Sequence, residues 1–245
     1  MSIRSVESRC PQRVEEAKQL ALLADAVHSS SSMTTDEYRI VLFDDREELW
    51  DCRTRKHGMA LSFQSVDRRI GAGNLSHKQP LGRAIGSKAQ VVVDATAGFG
   101  HDASRLACMG WDVIGIERDN FLSAVLKLSL EDVTRCDDLQ TLLSGRLRFI
   151  HGDATTVLNT LNPDVVYLDP MFTPRKKRSA LPKKPAQILQ ALAKPSDDQN
   201  LLCVAQSVAP RVVVKRPIDG PSIVEPHLVF KGRLVRYDVY LNMNE

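Results

Sequence analysis

The run Val91-Val92-Val93-Asp94-Ala95, followed at once by Thr96-Ala97-Gly98-Phe99-Gly100-His101-Asp102-Ala103, constrains this chain more than any other stretch. A short β-branched run with no polar face asks to be buried on both sides, as a strand inside a parallel sheet is. The small residues and two glycines after it let the backbone turn sharply into a helix and let a ligand approach with no side chain between. Glu117, 19 positions beyond Gly98, ends a second apolar run, where a carboxylate accepts hydrogen bonds from both hydroxyls of a ribose. The spacing of Gly98, Gly100 and Ala103 also satisfies G-x-G-x-x-A. The loop by itself therefore fits two nucleotide chemistries, hydride transfer with a nicotinamide dinucleotide and methyl transfer from S-adenosylmethionine.

The residues that follow separate them. From Gln90 strands and helices alternate: strand Val91 to Ala95, helix from about Asp102 to Gly110, strand Asp112 to Glu117, helix from about Phe121 to Cys136 and strand Arg146 to His151. Strand Val165 to Asp169, helix Ala186 to Leu192 and strand Arg211 to Lys215 continue the pattern, and Pro226 to Phe230 and Leu234 to Leu241 close it as an antiparallel hairpin around Lys231-Gly232. The fold class predicted is α/β, a Rossmann-like, mostly parallel sheet ending in an antiparallel hairpin, which is the class I methyltransferase arrangement. Asp94 stands before the loop, where it can bind loop amides or an ammonium, and Asp153 follows the third strand, where an adenine would lie. The dehydrogenase fingerprint asks for neither.

Residues 1–85 read as a separate small α+β subdomain before a main domain over residues 86–245. Val14 to Val27 predicts a helix, Ser29 to Ser32 a short linker, and Tyr38 to Phe43, Glu48 to Cys52 and Met59 to Phe63 an antiparallel meander with turns at Asp44-Asp45 and His57-Gly58. Pro80 to Ile85 opens a helix leading into the main domain.

The fourth strand of the main domain ends Val165-Val166-Tyr167-Leu168-Asp169-Pro170-Met171-Phe172, which delivers a carboxylate and an aromatic ring to the carboxyl edge of the sheet. Asp169 can accept a hydrogen bond from an exocyclic amine and orient its weakly nucleophilic nitrogen, while Phe172 can stack on the base. Carbon methylation of a pyrimidine would want a thiolate here, and the cysteines nearest in sequence are Cys136 and Cys203. Amine methylation is the chemistry this pairing favours. Between Pro170 and Ser196 stand seven basic residues and no acidic one, and Arg175, Lys176, Lys177, Arg178, Lys183 and Lys184 are the candidate RNA-phosphate contacts.

Three stretches together resemble the ribosomal RNA small subunit methyltransferase J family: Asp94 to Ala103; Val166 to Phe172 with Arg175-Lys176-Lys177 and Ser179-Ala180-Leu181; and Arg211 to Pro217. The likeness runs from about Leu61 to Tyr240, and the Asp-Pro-Met-Phe block with its basic tail is its most specific part. It implies methyl transfer from S-adenosylmethionine to the N2 amine of a guanosine in 16S ribosomal RNA. It also implies cofactor contacts from His101, Asp102, Glu117, Arg118, Asp153, Ala154 and Asp169, beside Asp94, Gly98 and Gly100 of the loop. The chain departs from the family at His101, usually Arg, at Asp153-Ala154, usually Ser-Ser, and at Thr173-Pro174.

Composition bounds the remaining readings. A chain of 245 residues at 43% hydrophobic content can bury a full core. The first 13 residues carry Arg4, Glu7, Arg9 and Arg13 with no apolar run, and no stretch reaches the roughly 20 apolar residues of a membrane span. Five scattered cysteines without a C-x-x-C pair read as reduced thiols in a cytoplasmic protein, and no His or Cys spacing suggests a metal. The expected partner is small-subunit ribosomal RNA or the assembled small subunit, the expected state a monomer. The alternatives are an amino-methyltransferase acting on another nucleic acid, an NAD-dependent dehydrogenase and a non-catalytic RNA-binding module.

Overall fold

A computed structural model describes residues 3–29, 36–54, 58–64, 75–143, 145–170, 184–192 and 197–242, with the backbone alone for 184–186. The apolar runs of the second part of the chain form one seven-stranded sheet. Its strands are β6 (Val91–Asp94), β7 (Asp112–Glu117), β8 (Leu147–His151), β9 (Val165–Leu168), β10 (Arg211–Pro217), β11 (Leu228–Lys231) and β12 (Val235–Leu241). The order across the sheet is β11-β12-β10-β9-β6-β7-β8, parallel from β10 to β8 and antiparallel at both pairings of β12. The chain builds outward from β6 through β7 to β8, then returns to place β9 on the other side of β6. That reversal opens a crevice beyond the carboxyl ends of β6 and β9, the position at which open α/β sheets bind ligands.

Each central strand buries both faces, because successive side chains point to opposite sides. Val92 of β6, Val165 and Tyr167 of β9 and Val213 of β10 join one core, which α2 (Pro80–Ile85), α3 (His101–Cys108) and α5 (Asp137–Leu143) cover. Val93, Val166, Leu168, Val212 and Val214 join the other, covered by α6 (Ala154–Val157) and α8 (Asp198–Val208). Burying such a Val side chain is worth about 1.5 to 3 kcal/mol, so these all-apolar strands hold the sheet through both layers. Helix α4 (Asn120–Val133) opens on an Asp119 cap whose carboxylate accepts from the N–H groups of Phe121 and Leu122. Helices α5 and α8 were not anticipated from sequence; α8 starts at Asp197, which accepts from the Asn200 N–H.

The amino-terminal part differs from the expected meander. Its sheet has five strands, β1 (Arg4–Ser8), β2 (Val27–Ser29), β3 (Tyr38–Leu42), β4 (Glu47–Asp51) and β5 (Met59–Ala60), in the order β2-β1-β3-β4-β5. β1 lies parallel to both β2 and β3, while β3, β4 and β5 pair antiparallel. The helix α1 (Val14–Leu23) stops earlier than predicted, and Val27–Ser29 is a strand, so Ser29 is a buried sheet residue rather than linker. Ser30 to Ser32 lie outside the described residues, as does His57 of the second turn. Side chains of α1 (Ala17, Leu20, Ala21) meet Val6, Tyr38, Ile40 and Leu42 in one core with Phe121, Leu122, Val125 and Leu128 of α4 and Ile188 and Leu192 of α7 (Lys184–Leu192). No helix among the described residues is long and apolar enough to cross a membrane.

Candidate active site

The crevice predicted by the strand order is present. Gly98, Glu117, Arg118, Asp119, Asp153, Ala154, Asp169 and Pro170 line it, with Ile116, Leu122, Leu189 and Leu201 as apolar wall. The turn after β6 is shaped by its glycines. Gly98 has φ +55° and Gly100 φ +73°, left-handed values that cost an L side chain about 1 to 2 kcal/mol. A Cβ on Gly98 would stand 3.0 Å from the Leu189 side chain on the crevice wall, while one on Gly100 would stand 2.7 Å from Leu126 in the core. Gly98 thus gives access to the crevice, and Gly100 lets the turn close on the body of the protein.

Glu117 ends β7 and is 9% exposed. Its two oxygens accept the backbone N–H of Gly98 and of Asp119, each at 2.9 Å. Burial pushes its carboxyl above the ordinary range, and those two N–H groups pull the other way. The carboxylate therefore fixes the glycine turn to the start of α4 and keeps lone pairs for a ligand. Asp153 caps α6 by accepting the Thr155 N–H at 2.9 Å, and hydrogen bonds from Thr155 hold its carboxyl below the usual value. Arg118 stands exposed at the mouth of the crevice.

The carboxyl ends of β6, β9 and β10 carry a network of charges. Asp94, 1% exposed, accepts the Thr96 N–H at 3.0 Å, and the Thr96 hydroxyl accepts the Asp169 N–H at 2.7 Å. Burial, reinforced by the charges of Asp102 and Asp169, pushes the Asp94 carboxyl up to about 8. Lys215 of β10 donates to Asp102 at 2.6 Å and to Asp169 at 2.8 Å, and the Tyr167 hydroxyl donates to Asp102 at 2.6 Å. Burial opposes the charge on Asp102, but Lys215 overcomes it and holds that carboxyl below its usual range. Asp169 stays above its usual range because burial outweighs the same lysine. Its side chain is 37% exposed, toward the crevice.

The structure thus brings together Gly98, Glu117, Arg118, Asp153, Ala154 and Asp169 on the crevice, with Asp94 and Asp102 supporting it from below. Gly100 and His101 face elsewhere: His101 lines a neighbouring groove between α4 and the amino-terminal sheet, with Phe99, Met59, Leu61 and Asp132. Phe172, Arg175, Lys176, Lys177, Arg178 and Lys183 lie outside the described residues, and Lys184 is described only as backbone at the start of α7. Sequence reasoning passed over Thr96, Asp119, Lys215 and the crevice residues of α7 and α8. A signal for Lys215 was there: it follows Val212-Val213-Val214 at the carboxyl edge, and β10 runs parallel to β9 with Val214 paired to Leu168.

The donor set fits S-adenosylmethionine: acidic acceptors for ribose hydroxyls, adenine amine and methionine ammonium, apolar walls for the ring, and a glycine turn that admits them. A family model described as "Putative SAM-dependent methyltransferase" matches residues 23–242. A curated ribosomal RNA small subunit methyltransferase J from Pseudoalteromonas atlantica is 35% identical over 96% of this chain and 96% of its own. One from Coxiella burnetii is 35% identical over 94% of each, and one from Hydrogenovibrio crunogenus 40% identical over 71% of this chain and 64% of its own. Among solved structures, a SAM-dependent methyltransferase from Neisseria gonorrhoeae superimposes with TM-score 0.72 at 23% identity, covering 98% of this chain and 97% of its own, a likeness of fold. With the sheet, its closing hairpin and the crevice, these matches favour methyl transfer over the dehydrogenase reading. The chain belongs to the SAM-dependent methyltransferases and, among them, to the ribosomal RNA small subunit methyltransferase J family.

Proposed function

We propose that this enzyme methylates the exocyclic N2 amine of a guanosine in 16S ribosomal RNA, with the small ribosomal subunit or its RNA as substrate. The observation that carries the reading is Asp169: a carboxylate at the end of β9, its backbone anchored by Thr96, one oxygen held by Lys215, opening on the crevice that Glu117 and Asp153 line. The names of the relatives support the choice of RNA. In the crevice Glu117 would hold the ribose hydroxyls, Asp153 the adenine amine, and Thr96 and Asp169 the methionine end.

S-adenosylmethionine, when bound, supplies a methyl group on a sulfonium that leaves as a neutral thioether. Asp169 accepts a hydrogen bond from the N2 amine and points the nitrogen lone pair at that carbon. As the carbon–nitrogen bond forms, positive charge moves onto the nitrogen, and the carboxylate beside it stabilises the transition state more than the ground state. The nitrogen then sheds one proton, for which the partly exposed Asp169 is the adjacent acceptor. Phe172 is proposed to stack on the base turned out of its helix, and Arg175, Lys176, Lys177, Arg178, Lys183 and Lys184 to hold flanking phosphates.

Single-turnover methylation of small subunits lacking the modification tests this, at saturating cofactor. Asp169→Asn keeps the shape and loses the charge, so the rate is expected to fall about a hundredfold or more. Cofactor affinity, measured in the same variant, separates a binding role from a catalytic one. A rate near that of the unmodified enzyme would refute the assignment, and modification of a different nucleotide would refute the substrate.

A further inference from the structure

Lys215 bridges two carboxylates at the carboxyl edge of the sheet, Asp169 on the crevice and Asp102 beneath it. Its ammonium lies 2.6 Å from Asp102 Oδ2 and 2.8 Å from Asp169 Oδ2, and Tyr167 donates to that same Asp102 oxygen. Asp94 lies beneath, tied to the same turn through Thr96. Parallel pairing of β10 with β9 fixes this arrangement, since Val214 is opposite Leu168 and the next residue of each strand is Lys215 and Asp169. β9 ends at Leu168 while β10 continues to Pro217 beside β12, so Lys215 stands level with the first residue beyond β9.

We infer that Lys215 is a positioning residue for methyl transfer: it fixes one oxygen of Asp169 and directs the other at the substrate amine. The inference rests on the reading of Asp169 as the group that orients the amine. Lys215 neither gives nor takes a proton in the step; the proton shed by the nitrogen passes to Asp169 and on to water. Among the described residues, the charged and titratable groups around Asp169 are Lys215 on β10, Asp102 on α3, Asp94 on β6, Tyr167 on β9 and Tyr237 on β12. In that set Lys215 favours the negative charge on Asp169, against burial and Asp102, which oppose it. A lysine also reaches two carboxylates at once with a point charge, and its flexible stem lets it follow Asp169 when substrate arrives.

The consequence is a signature in pH. Methyl transfer needs the ionised Asp169, so the rate falls as pH drops through its pKa. Removing a cation within about 4 Å moves a carboxyl upward by about 1 to 3 units. Lys215→Met, which keeps the stem and loses the charge, is therefore expected to move the acid limb of the single-turnover rate upward by about one pH unit or more between pH 5 and 9. On that limb the rate should fall by up to about tenfold for each unit of displacement. Lys215→Arg retains a permanent charge and is expected to return the limb to its original position even if the rate recovers only partly. Thermal unfolding and calorimetry with S-adenosylhomocysteine accompany each variant. A uniform loss of rate in Lys215→Met with an unmoved limb would reduce Lys215 to a structural tie and overturn the inference, as would an unchanged rate. If Lys215→Met does not fold, Lys215→Arg decides: a displaced limb with the charge retained overturns it. Asp169→Asn run in parallel keeps the two readings apart. A near-normal rate in Asp169→Asn sinks the role of Asp169 itself, whereas an inactive Asp169→Asn with an unmoved limb in Lys215→Met sinks only the role of the lysine.

Discussion

Glu117→Gln is the sharpest probe of the cofactor crevice, because it changes charge and donor pattern at one buried carboxyl and almost nothing in volume. The native carboxylate accepts two backbone N–H groups at 2.9 Å, from Gly98 and from Asp119. A glutamine offers one oxygen and one NH2 in their place, so one of the two buried N–H groups meets another donor, a cost of about 1 to 3 kcal/mol. That cost has an offset. Burial raises the Glu117 carboxyl above its ordinary value, so keeping it ionised already costs folding energy, which a neutral amide does not. The two effects oppose, and unfolding stability should change by less than either. Cofactor affinity has no such offset. Hydrogen bonds from ribose hydroxyls to a carboxylate are worth about 1.5 to 3 kcal/mol each against about 0.5 to 1.5 for a neutral acceptor, and only one oxygen remains. A loss of roughly 1 to 3 kcal/mol, or about 5- to 150-fold in Kd, is expected for S-adenosylhomocysteine by calorimetry. The native affinity should also weaken as pH falls through the raised carboxyl, while the variant stays flat. Equal affinities in two folded proteins would mean that the ribose lies elsewhere.

Two further perturbations test the surroundings. Asp94 holds its proton in the folded protein up to about 8, whereas an unfolded chain releases it near about 4, so the folded state binds the extra proton between those values and stability falls as pH rises through them. Asp94→Asn keeps the acceptor for the Thr96 N–H and removes this slope, so thermal unfolding should gain on the native protein from pH 6 to pH 8.5; parallel curves would refute the shift. Arg4 of β1 donates to both oxygens of Asp119, at 2.7 and 2.8 Å, and to the Leu192 carbonyl at 3.3 Å. With Arg4 17% and Asp119 4% exposed, Arg4→Met strands a buried carboxylate on the crevice rim at a cost on the order of 3 kcal/mol. It should also weaken cofactor binding severalfold, and an unaltered Kd would confine the pair to a structural role.

What the sequence disclosed follows from which interactions leave a local pattern. The parallel strands were legible because both their faces are buried: Val91 to Val93 and Val165 to Leu168 carry no charged residue. β1 was not, because its buried side chains include Ser5 and Glu7, and polar residues in an extended run read as surface. What makes that burial tolerable is distant in sequence: Arg39 pairs with Glu7 and with Asp36, and Ser5 donates to Asp36. Helix α1 was legible as a helix but not its end, since Ala24 and Asp25 turn the chain without a glycine and Asp25 takes φ +49° itself. The crevice splits the same way. Gly98, Glu117 and Asp169 stand at strand ends that the local pattern marks, while Lys215 and Asp119 act through partners 46 and 115 positions away.

The amino-terminal sheet bears on the same turn that shapes the crevice. Gly98 faces the crevice, but Phe99 packs into the core shared by that sheet and α4, and His101 lines the groove between them. The segment from Gly98 to His101 therefore presents residues to both bodies of side chains. Arg4 ties the sheet to Asp119 on the far side of α4's first turn, and Asp119 in turn donates its N–H to Glu117. Two independent routes, one apolar and one ionic, converge on the hydrogen bond between Gly98 and Glu117. The Glu117 end of the crevice is thus held from both sides by the part of the chain that contributes least to the methyltransferase sheet. Close-packed interiors transmit strain, so a change in the amino-terminal sheet is felt at Glu117 through these two ties as well as through the strand that carries it.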